Sequence, residues 1–221
     1  MHKLVKGICL VFLFLVSTAA AHASVFNFKA MAEAGGSHGE SGWTTLTVTG
    51  TGFTLSITGT KNANAAYAYL DSGGAGLGVC GALTNPAKAN QITNSNENLC
   101  DPSSDDNVTT GEFLTLMFSH DVVIETIWFN NNHDGDQSLF GDKINIGGSA
   151  FTFTNGGALQ DSFTTSSYFV AANTAFILAN NNEEFYLSKM DVSAVPEPAS
   201  LLLAVLGLAG LGLGARRRRI D

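Results

Sequence analysis

From Val25 onward, bulky residues recur at every second position in short runs, and Gly or Asn closes most of them. That period of two is what most constrains the fold. Successive side chains of a strand point to opposite faces, whereas a helix repeats every 3.6 residues. The pattern covers Val25 to Ala30 (VFNFKA), Trp43 to Thr49 (WTTLTVT), Phe53 to Thr60 (FTLSITGT) and Ala66 to Leu70 (AYAYL). Further on it covers EFLTLMFS, VVIETIWFN, KINIGG, AFTFTNGG, SYFVAA, AFILAN and FYLSKMDVSA. Thr49-Gly50-Thr51-Gly52 reads as a tight turn between two strands, and Ser119-His120-Asp121 as the turn of the strongest hairpin. Asp71 to Gly111 shows no clear period, unusual for so long a stretch inside a compact domain. About ten strands, no convincing amphipathic helix and no internal repeat predict an all-β chain, a single β-sandwich of jelly-roll-like kind.

The two ends have a different character. His2, Lys3 and Lys6 precede the apolar run Gly7 to Val16, and Ala21-His22-Ala23 follows as an A-x-A site. This predicts a secretory signal, residues 1–23, cut by signal peptidase before Ser24. At the other end Ala199 to Ala215 carries no charge, and Arg216, Arg217, Arg218 and Arg219 follow at once. The run sits at the short limit for a spanning helix, and clustered arginines stay on the cytoplasmic side. Pro196 and Pro198 hold the backbone at Glu197 extended just outside the bilayer. Such a tail is either an anchor or a site for a processing enzyme.

The order VPEP, apolar helix, arginine cluster resembles the PEP-CTERM sorting signal, the substrate of membrane-embedded exosortases in Gram-negative bacteria. The matching positions are Pro196, Glu197 and Pro198, the helix Ser200 to Ala215, and Arg216 to Arg219. The resemblance covers the tail, residues 196–221, and leaves the body untouched. It implies passage through the secretion machinery, transient anchoring in the inner membrane, a cut near the Pro-Glu-Pro, and delivery to the cell surface or extracellular matrix. A role in an exopolysaccharide-associated envelope follows from the same resemblance.

Residues 24–195 are then the extracytoplasmic body, long enough for a real core. It has five lysines, no arginine and seventeen acids, a net of −12. So acidic a body argues against nucleic acid or anionic lipid as its ligand. It suits calcium, neutral glycans or solubility alone. Cys80 and Cys100, an even pair in an oxidising compartment, read as a disulfide, with a metal pair as the alternative.

One internal stretch suggests a cation. In Phe129 to Ile144 the residues Asn130, Asn132, Asp134 and Asp136 alternate, with Gly135 in sixth place, close to the opening of a calcium loop. Gly141 stands where a bidentate Glu is expected, and Asp142 is the substitute ligand. A polar turn explains the same residues. Asp101 to Asp106 reads as a solvated acidic loop or a second carboxylate source.

Catalytic signatures are lacking. His38, His120 and His133 have no zinc spacing, and no nucleophile elbow or phosphate loop occurs. The chain reads as non-enzymatic, a structural or binding protein. The alternatives are a calcium-dependent carbohydrate-binding module and a glycan-acting hydrolase using Glu112, Glu125 or Asp136. Trp43 and Trp128 lie in strand patterns and read first as core; on an open face either becomes a sugar-stacking platform.

Overall fold

A computed structural model describes residues 23–92, 98–131, 139–156 and 161–196. The chain divides into two units, Ala21–Val195 and Met1–Ala20 with Pro196–Asp221; the fold is that of the first. Strands make up 53% and helices 5%, so the body is predominantly β.

The strands are β1 (Ala23–Asn27), β2 (Ser41–Trp43), β3 (Leu46–Gly50), β4 (Phe53–Lys61), β5 (Asn64–Asp71), β6 (Gly76–Cys80) and β7 (Glu112–Phe118). After these come β8 (Val122–Asn130), β9 (Lys143–Ile146), β10 (Ser149–Thr152), β11 (Ser162–Phe163), β12 (Tyr168–Val170), β13 (Ala175–Asn180) and β14 (Tyr186–Ala194). All pair antiparallel in one curled sheet of order β10-β9-β13-β7-β4-β5-β6-β14-β8-β11. β3 adds to β4, β2 to β5, β12 to β8 and β1 to β14. The sheet turns its corner at β5: Asn64 to Ala66 pair with β4, and Tyr67 to Asp71 pair with β6.

Alternation sets the core. Leu55 and Ile57 of β4, Leu114, Leu116 and Phe118 of β7, and Ile127 and Phe129 of β8 are buried in one cluster with Leu187, Met190 and Val192 of β14. Aromatic rings meet edge to face across the curl, Phe26 against Phe53 and Tyr168 against Phe176, with centroids 5.9 and 5.4 Å apart.

The turn over Thr49 to Gly52 forms as expected, with Gly50 opposite Phe53. The hairpin expected at Ser119–Asp121 does not. β7 pairs with β4 and β13, while β8 pairs with β14, β11 and β12. Those three residues carry the chain from one half of the curled sheet to the other, so two adjacent alternating runs become strands that never pair. The run Trp43 to Thr49 is likewise two strands in different halves. Between them the amide and hydroxyl of Thr44 both donate to Asn90 Oδ1, at 2.8 and 2.9 Å. The first run ends early because the Asn27 side chain accepts from the amide of Ala30 and caps a single helical turn, α1 (Phe28–Ala32), at 3.0 Å.

Candidate functional site

The described part of the stretch without periodicity, residues 71–92 and 98–111, contains β6 and a strap that packs against β5 and β6. Glycines make room for it. A Cβ on Gly78 would stand 2.0 Å from the carbonyl oxygen of Asp106, and one on Gly42 would stand 2.4 Å from Leu83. The amide of Val79 donates to Asn107 O at 3.1 Å. Beneath the strap Tyr69, Leu83, Cys80 and Cys100 form a small core of their own. Cys80 and Cys100 are bonded, with Cα atoms 5.7 Å apart, so the pair is a disulfide and not a metal site.

At the strap's inner edge acids and tyrosines interlock. Tyr186 donates to Asp106 Oδ1 at 2.5 Å, and its hydroxyl also meets Asp71. Tyr69 donates to Glu40 Oε1 at 2.8 Å, and Ser72 Oγ donates to Glu40 Oε2 at 2.6 Å. Burial, with the charges of Asp106 and Glu40 beside it, pushes Asp71 up to about 8. Burial and the neighbouring carboxylates also push both tyrosines upward. Asp71 is 4% exposed, too enclosed to meet a substrate, and its cluster joins four chain segments. The cluster ties the strap, through Asp106, to Tyr186 of β14. No alternation signals it, because the partners are far apart in sequence, Tyr186 lying 80 residues from Asp106.

The acids expected to be solvated or catalytic are placed differently. Asp105 binds Lys61, which also binds Glu112 at 3.0 Å. Glu112 caps the amide of Thr109 as well, at 3.0 Å. Burial raises Glu112, opposed by Thr109 and Lys61. Burial works against the charge on Lys61, and the hydrogen bonds of Asp105 and Glu112 overcome it and raise the amine. Glu125 is exposed on β8, in the other half of the sheet from Glu112. Asp136 lies outside the described residues, as do Asn132, Asp134, His133, Glu197, Pro198 and Arg216 to Arg219. Asn130 is buried and its amide donates to Ala75 O and Ser188 Oγ, at 2.8 and 3.1 Å. Asp142 is half-buried in a turn, where its amide donates to Leu139 O. Among the described residues no group of three metal-ligating side chains converges, and no helix is long and apolar enough to cross a membrane.

The outer face beside β8 presents an aromatic row. Asn27, Lys189, Trp128 and Phe163 stand opposite one another across β1, β14, β8 and β11. The Trp128 and Phe163 rings lie 6.4 Å apart, and the Lys189 ammonium sits 3.9 Å over the indole. Asn155 fixes β11 by two hydrogen bonds of 2.7 Å to the backbone of Phe163. Two residues along β1, Val25 is 57% exposed, and Phe169, opposite Val123 and five residues along β8 from Trp128, is 63% exposed. Trp43 keeps the core role expected of it, packed against the main cluster with its indole N–H on Ser41; Trp128 does not.

At the end of β14 the Val195 amide donates to Asp121 O at 2.8 Å, and Pro196 is exposed beyond it. Residues 194–219 match the PEP-CTERM protein-sorting motif. The match contains Pro196, Glu197 and Pro198 and all four arginines, and begins at the last residue of β14. The PEP-CTERM motif marks the chain for export, transient membrane anchoring and exosortase processing. Comparison with curated proteins and with solved structures returned no match.

Proposed function

We propose that the exported body is a non-enzymatic, glycan-binding component of an exopolysaccharide-associated cell surface. The observation that carries this reading is the pair of Trp128 and Phe163 on an open sheet face, held by Asn155. Aromatic faces of this kind stack on the C–H faces of sugar rings, and the flexible Lys189 ammonium over the indole is displaced by a ring that stacks there. The curled sheet, read as a jelly-roll-like sandwich, offers that face on the outside of one layer. Against hydrolysis, Glu112 is tied to Lys61 and stands in a different half of the sheet from Glu125. Calcium enters this reading as a ligand of Asp134, Asp136 and Asp142, with the Asn130 amide already engaged by the sheet. The destination, the surface of a Gram-negative cell or its matrix, follows from the PEP-CTERM resemblance.

The test is calorimetric binding of neutral exopolysaccharide by the purified protein. Trp128→Ala and Phe163→Ala are each expected to weaken binding about tenfold, a loss of roughly 1.4 kcal/mol, at unchanged melting temperature. Unaltered binding in both variants overturns the reading. A calcium-dependent melting shift abolished by Asp134→Ala would establish the cation, and no shift would dismiss it.

A further inference from the structure

The first and last strands are neighbours. β1 pairs with β14 from Ala23 opposite Ser193 to Asn27 opposite Lys189, so the chain enters and leaves the sheet at one pole. Three connections share that pole. Thr51 and Gly52 join β3 to β4, and the Thr51 amide donates to Ser24 Oγ at 2.7 Å. Residues 119–121 join β7 to β8, and Asp121 O receives the Val195 amide at 2.8 Å. Residues 171–174 join β12 to β13, with the Ala172 amide donating to Asp121 Oδ1 at 2.7 Å.

These connections hold His120 and Asp121 as their only ionisable side chains. Apart from Asp121 and, three residues in from this pole along β8 and β14, Glu125 and Asp191, the described acids stand mostly toward the opposite ends of the strands. Asp105 and Glu112 meet Lys61 at the end of β4, and Asp106 meets Tyr186 at the start of β14. Glu184 accepts from Asn107 and Thr109 at 2.7 Å, and Glu183 from Asn131 at 3.1 Å. The body is therefore electrically lopsided along β14, with Asp121 the one carboxylate in the connections where it ends and the larger share of the acids where it begins.

Only Val195 to Pro198 separate β14 from the uncharged run that starts at Ala199. Five extended steps from Ala194 span at most about 17 Å, so an anchored tail holds this pole close to the bilayer. β14 itself is nine residues long. At about 3.3 Å per residue it carries the acidic pole about 30 Å further out, more than three Debye lengths at physiological salt.

We propose that, while the tail is attached, the body stands on its weakly charged pole, with residues 50–52, 119–121 and 171–174 facing an anionic lipid surface and most of its carboxylates turned away. The proposal rests on the anchored state that the sorting motif implies, and is independent of what the aromatic row binds. The charge distribution resolves an apparent conflict: a body of net charge −12 is held beside an anionic membrane with most of its acids kept away from it.

The exported, tail-bearing chain can be reconstituted into phosphatidylethanolamine–phosphatidylglycerol vesicles whose headgroups carry a nitroxide quencher. Because Cys80 and Cys100 are bonded, a single introduced cysteine takes a fluorophore selectively. Labels at Thr51→Cys and Thr174→Cys are expected to be quenched several-fold more than one at Asn182→Cys, which is exposed at the acidic pole. Inserting twenty Gly and Ser residues between Val195 and Pro196, with a mean span of about 25 Å, should narrow that difference. Equal quenching at the two poles of the chain without the insert overturns the proposal. Failure of the tail-bearing chain to enter vesicles removes the tether it needs. Glycan binding is read separately, so neither result bears on the aromatic row.

Discussion

Asp71 illustrates how far one side chain's chemistry departs from its sequence context. In the sequence it opens the stretch without periodicity, and it folds among Asp106, Glu40 and the Tyr186 hydroxyl, where burial drives it to about 8. The folded form therefore holds a proton that the unfolded chain releases near the ordinary 3.8. Stability from this group is complete below pH 4, declines as pH rises through the interval, and levels off above about pH 8. Asp71→Asn, which cannot ionise, should melt higher than the parent protein by a margin that widens by several degrees between pH 5 and pH 8. A margin independent of pH would disprove the assignment. Trp128 makes the complementary point: its run alternates like its neighbours', but only the register Lys189–Trp128–Phe163 shows which face it occupies.

At the scale of elements, the alternating runs are largely where the period of two put them, since alternation records which side of a strand is buried. The partners of each run are another matter. β7 and β8 are adjacent in sequence with only three residues between them, yet they lie in different halves of the sheet. A short link permits either a hairpin or a crossing, and the packing of both apolar faces into one core selects the crossing. The strap was opaque for a related reason. It holds its place by glycines that admit another segment's backbone, by long-range carboxylate–tyrosine bonds and by the disulfide, none of which leaves a period. Gly78→Ala is expected to lower stability by about 2–4 kcal/mol, because its Cβ would overlap the Asp106 carbonyl backbone. Chemical denaturation measures this, and a loss under 0.5 kcal/mol would show that the strap moves freely. Removing the disulfide by Cys80→Ser with Cys100→Ser releases a loop of sequence separation 20. That should cost roughly 3 kcal/mol by chain entropy, read in the same experiment.

At the scale of the whole molecule, the charge of the body and the position of its ends belong together. The mature protein is expected to begin at Ser24 and end near Pro198, so an intact mass taken from the cell surface locates both cuts. A mass still containing Arg216 to Arg219 would refute processing. Sequence alone sufficed for the sorting tail, for the β character of the body and for the cysteine pairing. A sorting motif is a fixed order of residue types within one short segment, alternation is a local property of strands, and two cysteines in an exported body have one simple partner choice. Only the tertiary structure decided that Trp128 and Phe163 share an open face, that most of the scattered acids stand toward one pole, and that the body's first and last strands pair with their free ends at the other. Those facts depend on strand order and register, which arise from packing the whole core and are written in no single segment.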